Sequence, residues 1–179
     1  MIIAIGGPPG SGKTTVAERL ARDHGYALVS VGARFREMAK ARGLDLVAFS
    51  RAAEADRGID RELDRIVLEE ILRRDLKGDD VVVDGRIQAY LLSQRRIPCL
   101  KVWIDAPLDV RARRVADRDA TDVPAARQEI EARERSERVR YREIYGIDLD
   151  DRRVYDLVVD SSDKPPERIV ELVLARVAG

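Results

Sequence analysis

Near its start the chain reads MIIAIGGPPGSGKTT, an apolar run over residues 2–5 that breaks into glycines and then into a helical pattern. The eight residues Gly7, Pro8, Pro9, Gly10, Ser11, Gly12, Lys13 and Thr14 match GxxxxGK[ST], and this spacing is specific when a strand precedes it and a helix follows. Both flanks are present: residues 2–5 alternate poorly but are wholly apolar, and Val16, Ala17, Leu20 and Ala21 repeat at helical spacing until Gly25, a natural left-handed cap. The glycines let backbone N–H groups converge on phosphate oxygens, and the helix start adds positive potential. Lys13 is expected to reach the outer phosphates, with Thr14 on a magnesium ion and Thr15 completing the binding stretch.

A strand and helix of this kind belong in an α/β fold. Further strand-like runs lie at 27–31, 81–83, 100–104 and 157–159, with helical patterns between them, which predicts a five-stranded parallel sheet. The spacing is uneven. About fifty residues separate the second and third strands, far more than one crossover helix needs. The text between them reads as three helices with breaks at Gly43 and Gly58. A second long gap before the last strand holds a charged helical stretch. Without repeats or low-complexity linkers, the 179 residues read as one domain.

Charge and composition narrow the partners. Lys plus Arg and Asp plus Glu both number 33, so no global basic field exists to hold nucleic acid. Cys99 and His24 are the only residues of their types, which excludes a disulfide framework and a Cys/His zinc cluster and fits a cytoplasmic protein. No apolar stretch is long enough for a membrane span, and the opening lacks the pattern of a targeting signal. Asparagine is absent, so the chain carries no guanine-reading NKxD motif and is not a GTPase switch of that type. Motors and transporters need more chain than this. A compact kinase for a small acceptor is the most economical reading.

Magnesium in such a site also needs an acid at a neighbouring strand end. Asp84 in VVVDGR is the first candidate, acting through water, and Asp105 in VWIDAP the second; either could instead be an ordinary turn residue. Transfer between two anions demands several arginines. Arg34 and Arg36 follow the second strand, Arg86 follows the third, and Arg111, Arg114 and Arg118 share one helix face. Arg133, Glu137 and Arg140 share another. Between residues 107 and 145 ten arginines meet nine acids, and Glu129–Arg133, Glu131–Arg135 and Glu134–Arg138 are i,i+4 pairs in the favourable order. Each pair contributes about 0.2–0.5 kcal/mol, so a solvated helix accounts for most of these charges, Arg113 and Arg135 among them.

Taken together, GPPGSGKTT, SVGARFRE, IDRELD, VVVDGR, WIDAPLDVRARRVADR and RERSERVRYREIYGIDLDD resemble the nucleoside monophosphate kinases, most closely the archaeal-type cytidylate kinases. The resemblance spans nearly the whole chain. It implies a P-loop core with strand order 2-3-1-4-5, a monophosphate-binding insertion over residues 31–77 and a short lid over 120–140. It also implies ATP as donor, magnesium, CMP or dCMP as acceptor and a monomer. By the same resemblance Arg36 and Arg86 hold the acceptor, joined by Glu137 on its ribose and by Asp60 and Asp64, which could equally be helix-surface residues. Arg114 and Arg118 flank the donor, while Lys13, Arg118, Arg133 and Arg140 act on the transferring phosphoryl group. Where bacterial relatives continue DGR with an aspartate, this chain has Ile87 and Gln88; the Gln88 amide could read the cytosine edge, but the residue is expected at the surface. AMP or UMP as acceptor, or a regulatory ATPase cycle, remain the alternatives.

Overall fold

The computed structural model describes residues 1–178. Its centre is strand β1 (Ile2–Gly6), buried at every position because both faces of a parallel sheet are covered. The chain leaves β1 through the glycine loop into helix α1 (Lys13–His24), returns as β2 (Ala27–Ser30), and after a helical insertion comes back as β3 (Val81–Asp84). Helix α5 (Gln88–Gln94) then leads to β4 (Leu100–Asp105), and the last strand is β5 (Leu157–Asp160), followed by α8 (Pro166–Ala178). All neighbours are parallel and the order is β2-β3-β1-β4-β5, as the resemblance implied.

Alternation along the strands divides the core in two. Ile3, Ile5, Val82, Val102 and Ile104 face Val16 and Leu20 of α1 and Ile169 and Val173 of α8. Ile2, Ala4, Val81, Val83 and Trp103 face the opposite side, where Val67 and Ile71 pack together with Leu91, Tyr141 and Leu149. One face is thus closed by two helices. The other is closed by elements that also reach the sheet's carboxyl edge.

The insertion is three helices, α2 (Val31–Ala41), α3 (Leu46–Ala55) and α4 (Arg57–Asp75). The expected strand over 27–31 ends one residue early, because Ser30 caps α2 by accepting from the Ala33 N–H and Val31 is already helical. The second break lies at Asp56 rather than Gly58. Asp56 accepts from the Gly58 N–H at 2.8 Å, so the glycine falls inside the first turn of α4 and the acid, not the glycine, starts the helix. Phe49, Ala53, Ala39 and Ile59 give the insertion a small core of its own, with Phe35 and Phe49 rings 4.6 Å apart.

Past β4, helix α6 (Leu108–Asp119) and helix α7 (Val123–Tyr145) form a hairpin around Ala112, Val115, Ala116, Ala126 and Ile130. Residues 120–140, the expected lid, are a tight turn with Ala120 at φ 52° followed by most of the 23-residue α7. The three anticipated i,i+4 pairs do not form among the described residues. Glu134 instead pairs with Arg111 at 2.9 Å, Arg133 with Glu137 at 2.9 Å, and Arg138 with Asp150. For Glu134 and Arg133 the partner that wins is a buried one, where the charges interact more strongly than on a solvated helix face.

Candidate active site

The glycine loop crosses the carboxyl end of β1. Gly12 sits at φ 90° and leads straight into α1 with no side-chain cap, so the first N–H groups of that helix are left for an anion. A Cβ on Gly12 would meet nothing within 4 Å, so the space over the loop is open. Gly10 is constrained from the other side. It has φ 80°, and a Cβ there would lie 2.8 Å from the Arg111 carbonyl oxygen.

Arg111, Arg114 and Ser161 brace one side of the loop. Arg111, only 7% exposed, donates from Nε to the Ala106 carbonyl at 2.9 Å and from Nη1 to the Pro9 carbonyl at 3.2 Å. Arg114 donates to Ser161 Oγ at 2.9 Å and to the Ser161 carbonyl at 2.6 Å, with a longer bond to the Ser11 carbonyl. Ser161 Oγ donates to the Ser11 carbonyl at 2.8 Å. Arg111 and Ser161 as loop braces had no sequence signal beyond Arg111's place on the Arg114 face, because their partners are about a hundred residues or more away along the chain.

Around the loop the expected residues divide clearly. Thr14 Oγ1 donates to Asp84 Oδ2 at 2.9 Å, so the two candidate magnesium ligands do meet. Asp84 Oδ1 is buried with no partner, as is Ser11 Oγ inside the loop. A hydrated cation and phosphate oxygens would satisfy these two groups. Asp105, the second candidate, is occupied by the Ala106 N–H and the Trp103 indole N–H. Burial pushes the Lys13 ammonium down from 10.5 to about 8; Asp84 draws it back up, while Arg86 and Arg133 push it further down.

Arg86, from the end of β3, is buried and donates from Nη1 to the Gly7 carbonyl at 2.5 Å and from Nε to Glu137 Oε2 at 2.5 Å. Arg133 Nε donates to Glu137 Oε1 at 2.9 Å. Glu137 is 4% exposed; burial alone would raise its pKa, but the Arg86 and Arg133 charges overcome this and bring it down to about 2. It is therefore an anion at any working pH. Arg140 lies 3.1 Å from Asp60 Oδ2, an ion pair whose geometry gives neither atom a hydrogen bond. Next to it a cleft of about 330 Å³ is lined by Glu54, Arg57, Arg135, Ser136, Val139 and Arg140.

Asp60 and Asp64 are 3% and 8% exposed, so the helix-surface alternative falls for both. Asp64 accepts from Tyr145 OH at 2.7 Å and from Gln88 Nε2 at 3.2 Å. Burial raises its carboxyl from 3.8 to about 7. Gln88, expected at the surface, is 4% exposed: its Oε1 accepts from the Ile87 N–H while its amide reaches Asp64. A Cβ on Gly85 would fall 1.9 Å from that oxygen, so the glycine makes room for the inward glutamine.

Arg36 and Arg34 separate. Arg34 is tied to Glu70 at 2.5 and 2.8 Å and to Glu37 at 2.5 Å, a structural role; Arg36 is exposed and, among the described residues, makes no ion pair. Arg118 does not join the loop. It is 67% exposed and donates twice to Asp119 at 2.7 Å.

A helix start poised for phosphate, a lysine and a Thr/Asp pair at the carboxyl edge of a 2-3-1-4-5 sheet define a P-loop phosphotransferase, with an arginine cluster fed from two other elements. Within that class the chain belongs to the cytidylate kinase-like family, whose model matches residues 2–163. It is 46% identical to the cytidylate kinase of Methanopyrus kandleri over 169 residues, 90% of this chain and 85% of that one. It is 43% identical to the cytidylate kinase of Methanocaldococcus jannaschii over 178 residues, covering 99% and 97%. Solved kinases share the fold alone: shikimate kinase from Aquifex aeolicus superposes with a TM-score of 0.61 at 24% identity, covering 100% of this chain and 97% of that one. Among the described residues no helix is long and apolar enough to cross a membrane.

Proposed function

We propose that this protein transfers the γ-phosphoryl group of ATP to CMP, and to dCMP, giving ADP and the diphosphate. The observation that carries the reading is the meeting, at one end of the sheet, of the uncapped loop with Lys13 and an arginine set from β3 and α7 held by Glu137. The near-full-length likeness to cytidylate kinases supplies the acceptor.

In this reading the loop N–H groups and Lys13 hold the donor phosphates. Thr14 would hold a magnesium ion directly and Asp84 would hold its water shell; when bound, the ion neutralises charge on the donor phosphates. Arg133 and Arg140 surround the transferring group, while Arg86 and Arg36, the latter with no ion pair among the described residues, hold the acceptor phosphate against it. The acceptor oxygen is already ionised near neutral pH, so no general base is required and positioning does the work. Residues 31–77 serve as the acceptor-binding insertion, and the start of α7 closes over the two nucleotides, excluding water. The chain acts as a cytoplasmic monomer. A coupled assay of ADP release with CMP, dCMP, UMP and AMP tests this: CMP and dCMP are expected to be the preferred acceptors, and preference for AMP or UMP overturns the choice.

A further inference from the structure

Glu137 is the one buried acid on α7 that faces the loop, and both of its oxygens are already taken. Oε2 accepts from Arg86 Nε and pairs with Arg86 Nη2, and Oε1 accepts from Arg133 Nε at 2.9 Å. Arg86 in turn donates to the Gly7 carbonyl. One carboxylate therefore joins three segments: the loop after β1, the end of β3 and the middle of α7. Both oxygens are committed to charged donors, which bond a carboxylate about twice as strongly as a neutral ribose hydroxyl would.

Charge makes the same point. Lys13, Arg86 and Arg133 are close enough for their charges to act on one another, and Glu137 and Asp84 are the two acids that act against them at Lys13. Without phosphates, these three cations repel each other. A buried carboxylate bonded to two of them holds both guanidinium groups at the loop, ready for an anion, at little further ordering cost when one arrives.

We propose that Glu137 is a positioning residue: it sets Arg86 and Arg133 around the transferring phosphoryl group and does not read the acceptor's sugar. The proposal rests on the phosphotransferase reading above. It predicts that Glu137 acts on the rate of transfer, through the two arginines, equally for a ribose and a deoxyribose acceptor.

The test is steady-state kinetics of Glu137→Gln, Glu137→Asp, Arg133→Met and the double variant Glu137→Gln/Arg133→Met, with CMP and dCMP varied separately from ATP. A misplaced pair of arginines is expected to lower kcat by roughly 100-fold in Glu137→Gln, with both KM values within about threefold and the same loss for CMP and dCMP. Glu137→Asp, which keeps the charge, recovers about tenfold of this. The double variant should be little worse than the more damaged single variant, because both changes break one unit. Arg133 is 58% exposed, so Arg133→Met folds even if the Glu137 variants do not, and its own kcat loss without a KM change for the acceptor supports the proposal. A loss confined to the KM for CMP and absent with dCMP overturns it, as do multiplicative effects in the double variant. Should the wild type prefer another monophosphate, the functional reading fails while these ratios, measured with that acceptor, still decide the role of Glu137.

Discussion

Replacing Asp64 by asparagine probes a buried carboxyl whose ionisation the fold opposes. The native group is raised from 3.8 to about 7 by burial, against the opposing hydrogen bond from Tyr145. Between those two values the native state holds a proton that the unfolded chain has released, so stability falls as pH rises. The contribution is complete below the unfolded value and lost above the native one. The full difference corresponds to on the order of 4 kcal/mol, of which about 3 kcal/mol falls between pH 4.5 and 8. Asparagine carries no such proton, and any constant cost of its extra N–H groups cancels between two pH values. Urea unfolding of both proteins, followed by circular dichroism, reads this directly. With a slope of about 2 kcal/mol per molar urea, the variant's midpoint should gain roughly 1.5 M on the wild type between pH 4.5 and pH 8. Parallel midpoints over that range would refute the assignment of a neutral, desolvated Asp64.

Lys13→Ala should lower turnover by about 10²–10³-fold with an unchanged far-ultraviolet spectrum; wild-type-like turnover would remove Lys13 from the chemistry. Asp84→Asn is expected to raise the magnesium concentration for half-maximal activity by about 10–100-fold, and chelation should abolish activity in both proteins; an unchanged magnesium titration would contradict the Thr14–Asp84 assignment. Arg34→Met leaves Glu70, 7% exposed, with Arg74 among the described residues and should cost about 1–2 kcal/mol of stability. Arg36→Met should leave stability within about 0.5 kcal/mol and raise the acceptor KM by roughly 10–100-fold, and a reversal of these two phenotypes would show that the arginines have been assigned the wrong way round.

The parts of the fold legible in the sequence are those set by local physics. Apolar runs bounded by glycine or acids marked all five strands, and the loop spacing placed Gly12 and Lys13 at a helix start. What was illegible depended on tertiary partners. Gln88 read as a surface residue because nothing local shows that Gly85 clears space for the amide to turn inward toward Asp64. The charged text of α7 suggested Glu134–Arg138 pairing, yet Glu134 turns to the buried Arg111 of α6 and Arg138 to Asp150 beyond the helix. Arg118 shares a helix face with Arg111 and Arg114, but it lies one turn beyond the loop's reach and settles on Asp119. Arg34 and Arg36, two positions apart in SVGARFR, were told apart only by the resemblance, because nothing local shows that Glu70 claims Arg34.

The central claim is that one phosphoryl group passes between two nucleotides in this site without being lost to water. Phosphorus-31 nuclear magnetic resonance of the protein with ATP, magnesium and CMP follows that group directly. The account predicts equal growth of ADP and CDP with no accumulation of inorganic phosphate, and ATP left intact when CMP is withheld. Release of inorganic phosphate at the same rate with or without CMP would contradict it.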